Sequence, residues 1–216
     1  MYNHVDDKKF IKKLRTNCSG VVNELVMLIN SEDYLKVEMQ MVGSGAKNLI
    51  TQNADKPIDL DYNLNIVDID GDINDGSEIK EYIRKCFNII LSKYNQNDCK
   101  DSTSVLTSGL MNFETGKQTK FSIDIAIVCQ SKGKWYRLIH DKTGYVSRDR
   151  WFWNEAPHSN GLEKKIDRIK KAGKWLEVRD VYLNKKNFYL QNNDNSHPSF
   201  ICYIEAINEV FQQLRD

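Results

Sequence analysis

Between Ile58 and Ile66 apolar and polar residues alternate without a break. Ile58, Leu60, Tyr62, Leu64 and Ile66 fall on one side, and Asp59, Asp61, Asn63 and Asn65 on the other. Period two means a strand whose successive side chains point to opposite faces. The same alternation predicts strands over Tyr34–Val42, Ser102–Phe113 and Thr119–Cys129, the last two joined by a hairpin turn at Glu114–Lys117. In Thr119–Cys129, Phe121, Ile123, Ile125 and Ile127 share one face, while Ser122, Asp124, Ala126 and Val128 share the other. Helical spacing predicts a helix over Asp6–Asn30, whole or broken near Cys18–Gly20, and another over Ile79–Tyr94 capped by Ser77. Lys134–Tyr145 reads as a hairpin turning at Asp141–Gly144, and the aromatic stretch from Arg148 to Gly161 as a loop. Trp151 and Trp153 there have the chemistry to stack on a base or sugar, but fastening that loop to the body is the more common use of such residues. Leu162–Leu176 reads as a basic helix, Val178–Leu190 is ambiguous between helix and strand, and a last amphipathic helix has Pro198 in its first turn.

Two segments between these elements bear on chemistry. Gly43-Ser44-Gly45 ends the Tyr34–Val42 strand in a tight turn that allows close backbone approach. The following AKNLI can open a short helix, whose free N–H groups suit phosphate. The acidic stretch from Asp68 superficially matches a calcium-binding loop, but Ile73 stands where that loop needs glycine and Ile79 where it needs glutamate. It is therefore expected to be a solvated loop.

Composition narrows the picture. The 216 residues carry 40% hydrophobic and 28% charged side chains, which suits a globular protein, and only three prolines. A net charge of +1 gives no global field toward nucleic acid or membrane. Five scattered cysteines without a C-x-x-C pair predict reduced thiols rather than a disulfide frame. No apolar run nears the roughly 20 residues of a spanning helix, and the first residues lack an apolar signal core. A cytoplasmic protein with no membrane association is the expectation.

The candidate chemistry lies in the acids. Asp59 and Asp61 project from one strand face two residues apart, each step about 3.3 Å, a spacing at which two carboxylates can share hard divalent cations. Asp124 is an acid within an apolar strand, and a buried carboxylate needs a partner. A salt bridge would satisfy it, but beside the Asp59–Asp61 strand a shared metal site explains all three.

The stretches MVGSG (41–45), IDLDYNL (58–64) and FSIDIAIV (121–128) together resemble the polymerase-β-like nucleotidyltransferase superfamily, in the order Gly-Ser turn, Asp-x-Asp strand, single-Asp strand. IDRIKKAGKWLEV (166–178) and HPSFICYIEAINEV (197–210) look like the Lys-Trp and Pro-Ser-aromatic helices of its oligoadenylate synthase and bacterial CD-NTase branch, here in minimal form. The chain departs from that branch in GAKNLI after Gly-Ser, where many relatives have a second glycine and threonine, and in Phe200, where tyrosine is commoner. The resemblance implies an α/β (α+β) fold with a small mixed sheet: a nucleotidyltransferase core with its N-terminal helix over 1–157 and a helical C-terminal lobe over 158–216 closing a nucleotide cleft. It implies a two-metal enzyme using Mg²⁺ or Mn²⁺. Asp59, Asp61 and Asp124 would be the catalytic metal ligands, and Gly43, Ser44, Lys174, Ser199 and Phe200 would bind the nucleotide. An NTP such as ATP would donate NMP to a hydroxyl acceptor, a nucleotide in preference to a long nucleic acid or protein, with release of pyrophosphate and a linear or cyclic oligonucleotide as one product. The contrasting expectation is a non-catalytic nucleotide- or partner-binding module on the same fold, for which three clustered carboxylates would have no use.

Overall fold

The computed structural model describes residues 1–112, 119–156, 161–194 and 197–214. In chain order the elements are β1 (Tyr2–His4), α1 (Lys8–Ser31), β2 (Leu35–Met41), α2 (Gly43–Lys47), β3 (Thr51–Asn53), β4 (Ile58–Ile69), α3 (Gly76–Lys93), β5 (Lys100–Asp101), β6 (Leu106–Thr107), β7 (Phe121–Ser131), β8 (Lys134–Asp141), β9 (Arg150–Glu155), α4 (Leu162–Lys171), α5 (Trp175–Gln191) and α6 (Ser199–Gln213). They form two compact units. One comprises residues 6–47 and 57–156, the other residues 1–5, 48–56 and 157–216.

The larger unit is built on a mixed sheet. β2 pairs antiparallel with β4, and β4 pairs parallel with β7. β7 then divides its free edge: its first half takes β6, its second half takes β8, and β9 follows β8. The β7–β8 turn is only Lys132-Gly133, both with positive φ (50° and 76°), the geometry of a two-residue hairpin. The alternation in β4 appears directly in burial: Ile58, Leu60, Tyr62, Leu64 and Ile66 are buried, and the residues between them are not. α1 and α3 carry the matching apolar stripes. Asp7 caps α1 by accepting from Lys9 and Phe10 N–H, and Ile11, Leu14, Cys18, Val21, Val22, Leu25 and Ile29 line its buried side in one unbroken helix. Ile79, Ile83, Phe87, Ile90 and Leu91 do the same for α3.

The smaller unit holds the antiparallel β1–β3 ribbon and helices α4, α5 and α6. Leu49, Leu162, Ile169, Val178, Tyr182, Tyr203, Ala206 and Ile207 are among its core. The ribbon is tied to α5: Tyr2 N–H donates to Asn187 Oδ1 (2.7 Å), His4 Nε2 lies 2.9 Å from Arg179 O, and Lys186 Nζ donates to Thr51 Oγ1 (2.9 Å).

The α/β class and small mixed sheet agree with the sequence, while several local expectations change. The α2 helix starts at Gly43 itself and stops before Leu49, which is drawn into the smaller unit's core. α3 is capped by Asp75, which accepts from Glu78 N–H, so Ser77 falls inside the helix. β4 runs on to Ile69, taking up the start of the acidic stretch, because Asp68 and Ile69 find partners in Lys36 and Leu35. Of the strand expected over Ser102–Phe113, the described residues 102–112 hold only the short β6 and an isolated bridge at Met111; Phe113 and the turn expected at Glu114–Lys117 lie outside the described residues. Arg150–Glu155 is a strand, not a loop, so the hairpin runs between β8 and β9. The basic helix ends at Lys171, since Gly173 (φ 71°) turns the chain and Trp175 opens α5. Pro198 is the cap of α6 rather than part of its first turn. The tryptophans do anchor: Trp153 Nε1 donates to Ile73 O (2.7 Å) and Trp151 stacks on His140 (4.3 Å). All five cysteines are free thiols. Among the described residues no helix is long and apolar enough to cross a membrane.

Candidate active site

The parallel register of β4 and β7 brings the acids together. Asp61 stands directly opposite Asp124, and Asp59 opposite Ser122. Paired residues share a face, so all three carboxylates project from the side of the sheet away from the apolar stripe of β4. Asp59 is exposed, while Asp61 and Asp124 are half-buried.

The Gly-Ser-Gly turn packs directly on this strand. Val42 N–H donates to Asp61 O (2.9 Å), fixing the entry to α2. Gly43 has φ +62°, and a Cβ there would lie 2.2 Å from Asp61 Oδ2. Only glycine allows both that backbone conformation and that approach. Gly45 is similarly confined, since a Cβ would meet Leu60 Cδ2 at 2.8 Å. Ser44 lies between them in α2. Lys47, one turn on, donates to Gly43 O (3.4 Å).

Burial pushes the Asp61 carboxyl up to about 6, and the like charges of Asp124 and Asp59 add to the rise, against smaller opposing effects of Arg137 and Lys47. Asp124 is also raised, first by burial and then by Asp59, with a hydrogen bond from Thr107 acting the other way. Burial lowers Lys47, and Asp61 partly offsets it. The nearby cations therefore do not neutralise the acids. Asp124 Oδ1 is buried and has no hydrogen-bond partner among the described residues.

These observations fit divalent cations in the chemistry of the donor set: three carboxylates on one face, an orphaned carboxylate oxygen and too little protein counter-charge. As placed, no three His, Cys, Asp or Glu side chains among the described residues form a ready-made ligand group. Mg²⁺ needs no such cage, because it is held by one or two carboxylates together with water and substrate phosphates.

The other three residues singled out from the sequence belong to the smaller unit. Lys174 occupies the turn before α5 and pairs with Glu177, Ser199 is the first residue of α6, and Phe200 beside it is 41% exposed. The structure adds residues that the motifs did not single out. Ser122, 3% exposed, donates to Asp59 Oδ1; Thr107 stands opposite Asp124 in the register; Lys47 and Arg137 supply nearby positive charge. Ser122 carried a usable signal, since it shares the Asp124 face of its strand.

No family model matches the chain, and neither does any curated protein. Solved structures do. Escherichia coli MS115-1 CdnC solved with ATP superposes with a TM-score of 0.60 at 16% identity, over 96% of this chain and 62% of that one. The fold is that of a polymerase-β-like nucleotidyltransferase. CdnC in its complex with HORMA-deltaN gives 0.58 at 18% identity, over 94% and 60%. The chain thus spans about three fifths of the CdnC chains it matches, and at this identity the likeness is one of fold.

Proposed function

We propose that this chain is a divalent-cation-dependent nucleotidyltransferase, moving an NMP from an NTP to a hydroxyl acceptor. The observation that carries the reading is the Asp61–Asp124 pair across parallel strands, with Asp59 on the same face and Gly43 against Asp61. In the reaction the acceptor oxygen bonds to the α-phosphorus, the bond from that phosphorus to the bridging oxygen of the β-phosphate breaks, pyrophosphate leaves and the hydroxyl proton is released. Mg²⁺ or Mn²⁺, when bound, would lower the pKa of the attacking hydroxyl and offset charge on the phosphoryl oxygens. Asp59 and Asp61 would hold ions on one strand, and Asp124 would complete the site from the next. Gly43 and Ser44 would offer backbone N–H groups and a hydroxyl to the terminal phosphates.

Lys174, Ser199 and Phe200 enter through the resemblance: a cation and a hydroxyl for the triphosphate, and a ring to stack near the base. The fold likeness to CdnC, solved with ATP, supports an NTP as donor. A nucleotide acceptor, giving a linear or cyclic oligonucleotide, is the preferred form. A net charge of +1 speaks against a long nucleic-acid acceptor, because phosphate tracking relies on a strongly basic surface.

The test is incubation with each NTP and Mg²⁺ or Mn²⁺, followed by pyrophosphate assay and mass spectrometry of both small products and protein. Pyrophosphate release and a new phosphodiester are expected from the native chain. Removal of any one acid (Asp59→Ala, Asp61→Ala or Asp124→Ala) should lower turnover by roughly 10³-fold or more. Turnover that survives in the triple variant would sink the mechanism. NTP binding without turnover and without cation dependence would favour a binding module.

A further inference from the structure

The three acids are not held alike. Asp59 sits at an exposed position on its strand, where a carboxylate has rotamer freedom to lose. Directly opposite it in the parallel register is Ser122, whose hydroxyl is buried and donates to Asp59 Oδ1. One pair further along β7, Thr107 stands opposite Asp124 in the antiparallel register. Asp59 is thus backed by a hydroxyl from the neighbouring strand, while Asp61 is backed by the Gly43 backbone. A hydroxyl that donates to one carboxylate oxygen leaves the other free and fixes the plane in which its lone pairs lie. Outer partners of this kind orient metal ligands, and losing one typically lowers metal affinity 10- to 100-fold.

We propose that Ser122 is a positioning residue that sets the Asp59 carboxylate for a divalent cation. The inference rests on the metal-site reading above. Its hydroxyl is buried and is spent on Asp59. It acts by restricting Asp59, so cation affinity should depend on the hydroxyl and not on the bulk of the side chain.

The experiment is Mn²⁺ binding, followed by the loss of the free Mn²⁺ electron paramagnetic resonance signal, in the native chain and in Asp59→Asn, Ser122→Ala, Ser122→Thr and Ser122→Val. Thr and Val have nearly the same shape and differ in the hydroxyl, so this pair decides the matter even where the alanine variant folds poorly. Urea unfolding without metal is run on each variant. Affinity is expected to fall 10- to 100-fold in Ser122→Ala, to fall similarly in Ser122→Val and to stay within a few-fold of native in Ser122→Thr, with Thr and Val unfolding at similar urea concentrations. Equal Mn²⁺ affinity in Thr and Val, beside a clear loss in Asp59→Asn, would overturn the role of Ser122 and leave the metal site standing. Native protein that binds no Mn²⁺, or binds it as well after Asp59→Asn, would overturn both.

Discussion

Two groups of charged side chains in the larger unit are treated in opposite ways. On the helix-packed side, Lys80 is 4% exposed and reaches Asp101 at 2.6 Å and Ser102 O at 2.7 Å. Asp101 also takes His140 Nδ1 (2.8 Å), and His140 Nε2 reaches Asp149 (3.1 Å) under the Trp151 ring. Burial alone would raise Asp101, yet Lys80, His140 and Lys142 hold it below the usual carboxylate range. On the other face, Asp61 is driven up to about 6. The first group finds its opposite charges within the protein and ties α3 to β5 and β8. The second has three acids and too little positive charge; on the proposed function its missing partner is a cation from outside.

If the first group is structural, breaking it should cost more stability than any other change considered. Lys80→Met leaves Asp101 without its principal cation and should cost roughly 3–5 kcal/mol in urea unfolding. A loss below about 1 kcal/mol would erase the contrast between the two groups.

Asp61→Asn should move stability the other way. Native Asp61 titrates near 6 against a usual 3.8, so the folded protein binds the extra proton between those values. The stabilisation from that proton is fully present below pH 3.8 and is lost as pH rises through 6. At pH 7.5, without divalent cations, the ionised side chain is a burden that asparagine removes. The variant should then be more stable by about 2 kcal/mol, allowing for partial solvent screening, with the gain shrinking as pH falls toward 4. A variant no more stable than native at pH 7.5 would mean that Asp61 is already neutralised within the protein.

The smallest effect on stability is expected from Gly43→Ala. A positive φ costs roughly 1–2 kcal/mol for alanine, and the new methyl must displace the Asp61 carboxylate from 2.2 Å. Its sharper readout is cation affinity, which should fall with Asp61 displaced. Unchanged affinity would show that Gly43 is only a turn.

Much of the site was legible because period two is rigid geometry: once β4 is a strand, Asp59 and Asp61 must share a face. The Gly-Ser-Gly turn was likewise marked by its residues. The register was not legible. Nothing local says that Asp61 meets Asp124 rather than Ser122, since that depends on how β4 and β7 slide, and a slip of one residue would reverse the faces. For the same reason the Ser122–Asp59 bond required coordinates. Edge elements were read least well. Arg150–Glu155 has mixed residues and pairs only with β8, so its strand state comes from a partner and not from its own pattern. The β1–β3 ribbon, three residues a side, is too short to show periodicity at all.

The central claim, that the acid face is unsatisfied until cations arrive, is tested most directly by one crossed measurement. Native and Asp61→Asn chains are unfolded in urea at pH 7.5, first without divalent ions and then with Mg²⁺ and an NTP. Without ions Asp61→Asn should be the more stable. With Mg²⁺ and NTP the native chain should gain RT ln(1 + [L]/Kd), about 2.7 kcal/mol at a hundredfold excess over Kd, while the variant gains little, so that the order reverses. An order that stays the same under both conditions would contradict the account.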